Sequence, residues 1–115
     1  MPPIARAAAA YQASSTHRGL RAQEADVFRR MIGALRAGRD ADPMTRVRAL
    51  ADNRRLWTAV DNLVRDPENA LPAALRASIA SIGLTVQREM DRDNPDLDFL
   101  ITINENFASG LSGTP

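Results

Sequence analysis

The large apolar side chains of this chain recur at intervals of three and four residues, in segments that open on Asx-Pro or short polar steps and close on glycine or proline. That spacing sets each group on one face of an α-helix, and no segment shows the two-residue alternation of a half-buried strand. Leu20, Val27, Phe28, Met31, Ile32 and Leu35 mark a helix from about Arg18 to Gly38, with Gly38 as the stop just past its end. Asp42 followed by Pro43 is a helix start: a capping side chain, then a proline whose missing N–H costs nothing there. The helix it opens runs to about Arg65 on a stripe of Val47, Leu50, Trp57, Val60 and Val64, flanked by Leu56 and Leu63, and Pro67 ends it.

Asn69, Leu71 and Pro72 read as cap, staple and first-turn proline of a fourth helix carrying Leu75, Ile79, Ile82, Val86 and Met90. Asn94 and Pro95 repeat the cap-plus-proline start for a fifth, with Leu97, Leu100, Ile101, Asn104, Phe107 and Leu111 and with Gly110 at its end. The alanine-rich opening, Ile4 to Ala13, is marginal as an isolated helix and persists only if Ile4, Ala8 and Tyr11 dock on something. The expectation is an all-α, single-domain bundle of four to five antiparallel helices with short loops, spanning residues 1–115. Residues 1–15 form a weakly ordered or peripheral helix in this reading, and 112–115 a frayed tail.

Composition narrows the chemistry. The chain has 115 residues, one histidine and no cysteine, and its 15 positive side chains, all arginine, face 14 negative ones. Thiolate nucleophiles, disulfides, cysteine metal sites and lysine chemistry are excluded, and a histidine cluster cannot form. His17 sits beside Ser15 and Thr16 in a segment that capping already explains. Asp91, Asp93, Asp96 and Asp98 loosely suggest a calcium loop but lack its turn glycine and closing glutamate. No enzyme activity, catalytic residue, cofactor or metal is expected. No uncharged stretch approaches the roughly 20 apolar residues of a membrane span, so a cytoplasmic protein is the default.

Three constellations stand out. In Asn53-Arg54-Arg55-Leu56-Trp57, Arg54 is three residues from Trp57 and its guanidinium can lie on the indole. Trp57 is then either the largest core residue with Arg54 stretched over it, or an aromatic anchor of a partner surface rimmed by Arg54 and Arg55. Glu24 and Asn104 interrupt apolar stripes: they either fix register between helices, with Asn53, Arg54 or Arg76 as partners, or lie at the wet edge of a wide stripe. The third is the Asn69 to Arg76 helix start described above. Arg46, Arg48, Arg54, Arg55 and Arg65 are interspersed with Asp52, Asp61 and Asp66, a pattern of salt-bridged, solvated surface more than of phosphate binding, so nucleic acid is not an expected partner.

In order along the chain, Tyr11, Glu24-Ala25-Asp26-Val27-Phe28, Asn53-Arg54-Arg55-Leu56-Trp57, Asn69-Ala70-Leu71-Pro72 with Leu75-Arg76-Ala77, and Ile101-Thr102-Ile103-Asn104 with Gly110-Leu111 resemble the FlaF family of flagellar biosynthesis proteins, known from alphaproteobacteria. The resemblance implies a small cytoplasmic helical protein needed for flagellin production and export, a flagellin chaperone or regulator linked to FlbT. Rival readings are an RNA-associated regulator working with FlbT through the arginine-rich third helix, and a structural adaptor that only stabilises FlbT. Flagellin's terminal regions are amphipathic and unassembled before export, so an open apolar groove can take one as an added helix; an empty groove can also pair weakly with its twin. Leu56, Trp57, Leu71, Ile103, Phe107 and Leu111 are the candidate groove residues, with Arg54 and Arg55 as rim.

Overall fold

The computed structural model describes residues 3–14, 21–68 and 71–111, with side chains described for 3–10, 24–68 and 71–111. These residues form five helices and no strand: α1 (Pro3–Ser14), α2 (Arg21–Asp40), α3 (Pro43–Arg65), α4 (Ala73–Met90) and α5 (Leu97–Leu111). The chain is the all-α bundle its periodicity implies. Tyr11's side chain, Ser15 to His17, Asn69 and the tail 112–115 lie outside the described residues.

The helix ends follow local chemistry. Asp42 caps α3 by accepting the Thr45 N–H at 2.8 Å and its hydroxyl at 3.1 Å, with Pro43 next in the chain. Those bonds favour the charged carboxylate and hold Asp42 below its ordinary value of 3.8. The cap is therefore fully effective above that value and is lost as pH falls through the lowered one. At the far end Asp66 terminates α3 in extended backbone just before Pro67.

Two other starts differ from expectation. Pro72 is the N-cap of α4, not its first-turn proline, and among the described residues no side-chain hydrogen bond caps this end. At α5 the cap is Asp96, whose carboxylate accepts the Phe99 N–H at 3.1 Å. Asn94 and Pro95 serve α3 instead: both accept from the Arg46 guanidinium, at 2.8 and 2.7 Å. The arginine thereby anchors the α4–α5 loop.

Gly38 does not end its helix but lies inside α2, whereas Gly110 is the last residue but one of α5, as expected. Both sit where a neighbouring backbone comes close: a Cβ would be tight at Gly38 and would not fit at Gly110. A Cβ on Gly38 would lie 3.1 Å from the Arg46 Cα and 3.2 Å from the Ala49 Cβ. One on Gly110 would collide with the Ala5 carbonyl and the Ala8 methyl. Gly38 thus brings α2 against the start of α3, and Gly110 seats α1 on α5.

The close approach at Gly38 decides which way α3 faces. Only a methyl fits there, so Ala49 turns inward, followed by Asn53, Trp57 and Val64 as the buried residues of the helix. Val47, two residues from Ala49 and about 200° round the helix, is left outside at 58% exposure instead of in the core stripe. Val27 on α2 is likewise 40% exposed.

α2 lies between α3 and α5, α4 packs on the other side of α3, and α1 covers α5 and touches α4. The successive helices α4 and α5 barely meet. At the centre, Phe28 of α2, Trp57 of α3 and Phe107 of α5 form an aromatic triad with ring centroids 5.0 to 5.6 Å apart. Both Trp57 contacts are edge-to-face, the arrangement aromatic quadrupoles favour.

α1 is docked through small residues: Ala5 and Ala8 are buried, whereas Ile4, expected on the docking face, is only half-buried. Burying a methyl contributes about 0.8 kcal/mol, so the attachment depends on closeness more than on apolar area. Gly110→Ala is expected to release α1 while α2 to α5 stay folded. Amide hydrogen exchange will show the α1 amides losing protection with the α3 amides unchanged; equal protection in both proteins would refute this role for Gly110.

Candidate functional site

The surface between α2 and α3 is incompletely closed. Beyond the contact at Gly38, the two antiparallel helices leave an apolar trough between them. Its deeper part is a cavity of about 230 Å³ lined from α2 by Val27 and Phe28, and from α3 by Leu56, Ala59, Val60, Leu63 and Val64. Ile79 of α4 and Phe107 of α5 close its floor, and Glu24 stands at its outer end. A shallower recess of about 290 Å³ shares Val27 and Leu56 and continues toward Arg30, Met31, Ala34 and Asp52. The two share one line along the helices, with Leu63 and Val27 each 40% exposed on opposite rims.

Behind the trough runs a buried polar relay. The Trp57 indole N–H donates to the Asn104 Oδ1 at 2.9 Å, and the Asn104 Nδ2 donates to the Asn53 Oδ1 at 2.8 Å. The Asn53 Nδ2 in turn approaches the Met90 sulfur at 3.3 Å. All three of Trp57, Asn53 and Asn104 are 0% exposed, so Asn104 belongs to the interior and not to the wet edge of a stripe. The relay ties α3 to α5 and α4 and satisfies polar groups that would otherwise be costly to bury. Glu24, the other polar residue within a stripe, is half-buried at the trough mouth.

The candidate partner residues separate in space. Phe107 and Leu56 line the trough. Trp57, Leu71, Ile103 and Leu111 are buried in the core, at most 5% exposed, and do not line the trough. Arg54 does not stretch over the indole, whose described ring neighbours are Phe28 and Phe107; it crosses to α4, meeting Gln87 at 3.0 Å and Asp91 at 2.9 Å. Arg55 pairs with Asp52 at 2.7 Å along its own helix.

Ala59, Val60, Leu63, Val64 and Ile79 complete the trough without having been singled out as a binding surface. The available signal was the second apolar row of α3, Leu56 and Leu63 one heptad apart with Val60 between them, offset from the row headed by Trp57. A single core-facing stripe does not need both rows.

Charge along the rims is largely neutralised within each helix, by Arg29–Asp26 at 3.1 Å, Arg55–Asp52 at 2.7 Å and Arg65–Asp61 at 2.7 Å. Other pairs join helices: Arg36 to Glu105 and Arg39 to Asp98, the latter at 2.7 Å, span α2 and α5. Asp40 and Asp98 raise the Arg39 guanidinium further above its already high value, so it stays charged at every relevant pH. Among the described residues no group of three or more His, Cys, Asp or Glu is placed to hold a metal ion, and no helix is long and apolar enough to cross a membrane.

What these features define is a small helical bundle held by a polar relay and an aromatic triad, with an apolar trough open between α2 and α3. The family model described as Flagellar protein FlaF matches residues 7–111, nearly the whole chain, and the chain belongs to the FlaF family. It is a flagellar protein. No curated protein and no solved structure matches it. The match begins within α1 and ends with α5, so it takes in the relay and every lining residue of the trough.

Asn104→Leu removes the acceptor of Trp57 and the donor to Asn53 while keeping the number and branching of the side-chain heavy atoms. Two buried polar groups are then orphaned, and the expected loss is about 3 kcal/mol in urea unfolding followed by Trp57 fluorescence. A variant as stable as the parent would show that the relay is dispensable.

Proposed function

We propose that this chain is a cytoplasmic flagellin-binding protein, a chaperone and regulator needed for flagellin synthesis and export and acting alongside FlbT. The observation that carries this reading is an apolar trough standing open between α2 and α3 of a flagellar-family bundle. Flagellin before assembly presents amphipathic terminal segments whose apolar faces have no partner yet. A trough lined by Val27, Leu56, Leu63 and Phe107 offers such a face the burial it will later find in the filament.

The electrostatics favour this over transcript binding. Arg54, Arg55 and Arg65 of α3, the helix an RNA-binding account would use, each have a carboxylate within 2.9 Å. Phosphate binding draws on clustered positive charge with no internal partner.

The test is a calorimetric titration of the purified protein with purified flagellin, full-length and lacking either terminus. Binding to the full-length protein, loss on deletion of one terminus, a negative heat-capacity change and little dependence on salt are the expected results. A steep fall of affinity with salt on a transcript, without flagellin binding, would replace this reading by the RNA one. Binding of FlbT alone, with none of flagellin, would reduce the chain to an adaptor.

A further inference from the structure

We infer that this chain dimerises by exchanging α1: the first helix of one copy takes the seat on α5 and α4 of a second copy, which returns its own. The inference does not depend on the flagellin-binding reading.

The order of packing makes the exchange conservative. α1 docks on α5 and, to a lesser extent, on α4, the two helices farthest from it in sequence. α2, which follows it in the chain, meets it marginally at most. An α1 delivered by another copy therefore makes the same contacts as the chain's own. What favours the chain's own helix is the tether: six residues separate Ser14 from Arg21, and a short connection gives an effective concentration of about 1 mM.

The seat selects this helix. α4 and α5 barely meet, and α1 lies against both. At Gly110 the α1 backbone comes so close that an added Cβ would lie 2.5 Å from the Ala8 methyl and 2.9 Å from the Ala9 N. A helix entering there must carry small residues where α1 has Ala5, Ala8 and Ala9, and a second copy supplies that sequence in full. An α1 out of its seat is a short alanine-rich helix, marginal alone, and Ala5 and Ala8 lose their burial. Two opened copies restore both by filling each other's seats, the low-cost route to a dimer that identical elements allow.

The opening has a visible starting point. On the α4 side α1 is loosely packed: a cleft of about 670 Å³ lies between Pro3, Ile4 and Ala7 on one wall and Leu75, Ser78 and Ile82 on the other. Elements with few buried apolar contacts open at the lowest free energy. No described α1 residue lines the α2–α3 trough, so the dimer carries two troughs, each unaltered.

The test uses the full chain. Unfolding in urea and refolding at about 1 mM, where a second copy competes with the tether, should give a species of twice the monomer mass by light scattering that persists on dilution. Refolding at low micromolar concentration should give monomer. Because the chain has no cysteine, Ala7→Cys in one protein and Ser78→Cys in another, on opposite walls of the α1–α4 cleft, can be refolded together with one of them isotope-labelled. A short bis-maleimide should join labelled to unlabelled chains in that dimer. With Val47→Cys, exposed on α3 outside the seat, replacing Ser78→Cys, it should not. Gly110→Ala closes the seat in both copies and should abolish dimer and cross-link, its remaining fold being followed by circular dichroism and Trp57 fluorescence. Gly33→Ala, whose added Cβ meets nothing within 4 Å, should dimerise like the parent. Monomer at both concentrations, or a dimer whose chains are not joined across the cleft, overturns the exchange. A dimer that survives Gly110→Ala also overturns it and gives self-association to another surface.

Discussion

A single hydrogen bond organises this bundle. The Trp57 indole cannot enter a sealed interior unless its N–H has a partner, and Asn104 supplies one from α5 at 2.9 Å. Asn104 is then obliged to dispose of its own amide N–H, which goes to Asn53, one turn from Trp57 on α3. The three residues therefore specify one another. Sliding α5 along α3 by a turn would break both bonds, whereas an all-leucine interface would tolerate several registers. Phe28 and Phe107 pack against the indole edge-on and extend the same constraint to α2.

The trough follows from how α2 and α3 are held. They are pinned near the α2–α3 turn by the Gly38 approach, where Ala49 leaves no space, and again by the Phe28–Trp57 contact. On the outward side of that contact no described residue fills the gap. α4 reaches it with Ile79 and α5 with Phe107, both from below. A bundle secured elsewhere by a relay and a triad can leave such a gap without losing its fold.

How much of this could be read from the residues alone depended on which side chains speak. Asp42-Pro43 and Pro67 bounded α3 correctly because capping and the loss of an N–H act locally. Trp57, Leu35, Ile79 and Leu100 fell on their apolar faces because size and spacing agree. Asn53 was legible as a polar partner for Asn104, and the two do pair; Ala49 did not stand out, since it is small, yet with Asn53 it sets the inward face of α3. Gly38 looked like a helix stop, because a glycine needed for close approach has the same appearance as one needed for a turn. Arg54 and Trp57 suggested a stacked pair by spacing; Gln87 and Asp91 of α4, distant in sequence, took the arginine instead.

The division between core and trough was the least legible feature, and its reason is geometric. Leu56 and Trp57 are adjacent in sequence and about 100° apart round α3, so one turns to the trough while the other is sealed behind it. Phe107 shows that the two are not separate surfaces: its ring packs on Trp57 and also floors the trough. Truncating Trp57 would therefore act on the partner surface through Phe107 and Phe28, and loss of binding in such a variant would report on the core. Substitutions at the exposed rim, Val27 and Leu63, act on the trough without touching the relay. The aromatic triad is thus both the centre of the fold and the floor of the trough, so the depth of the trough depends on the register that Asn104 imposes.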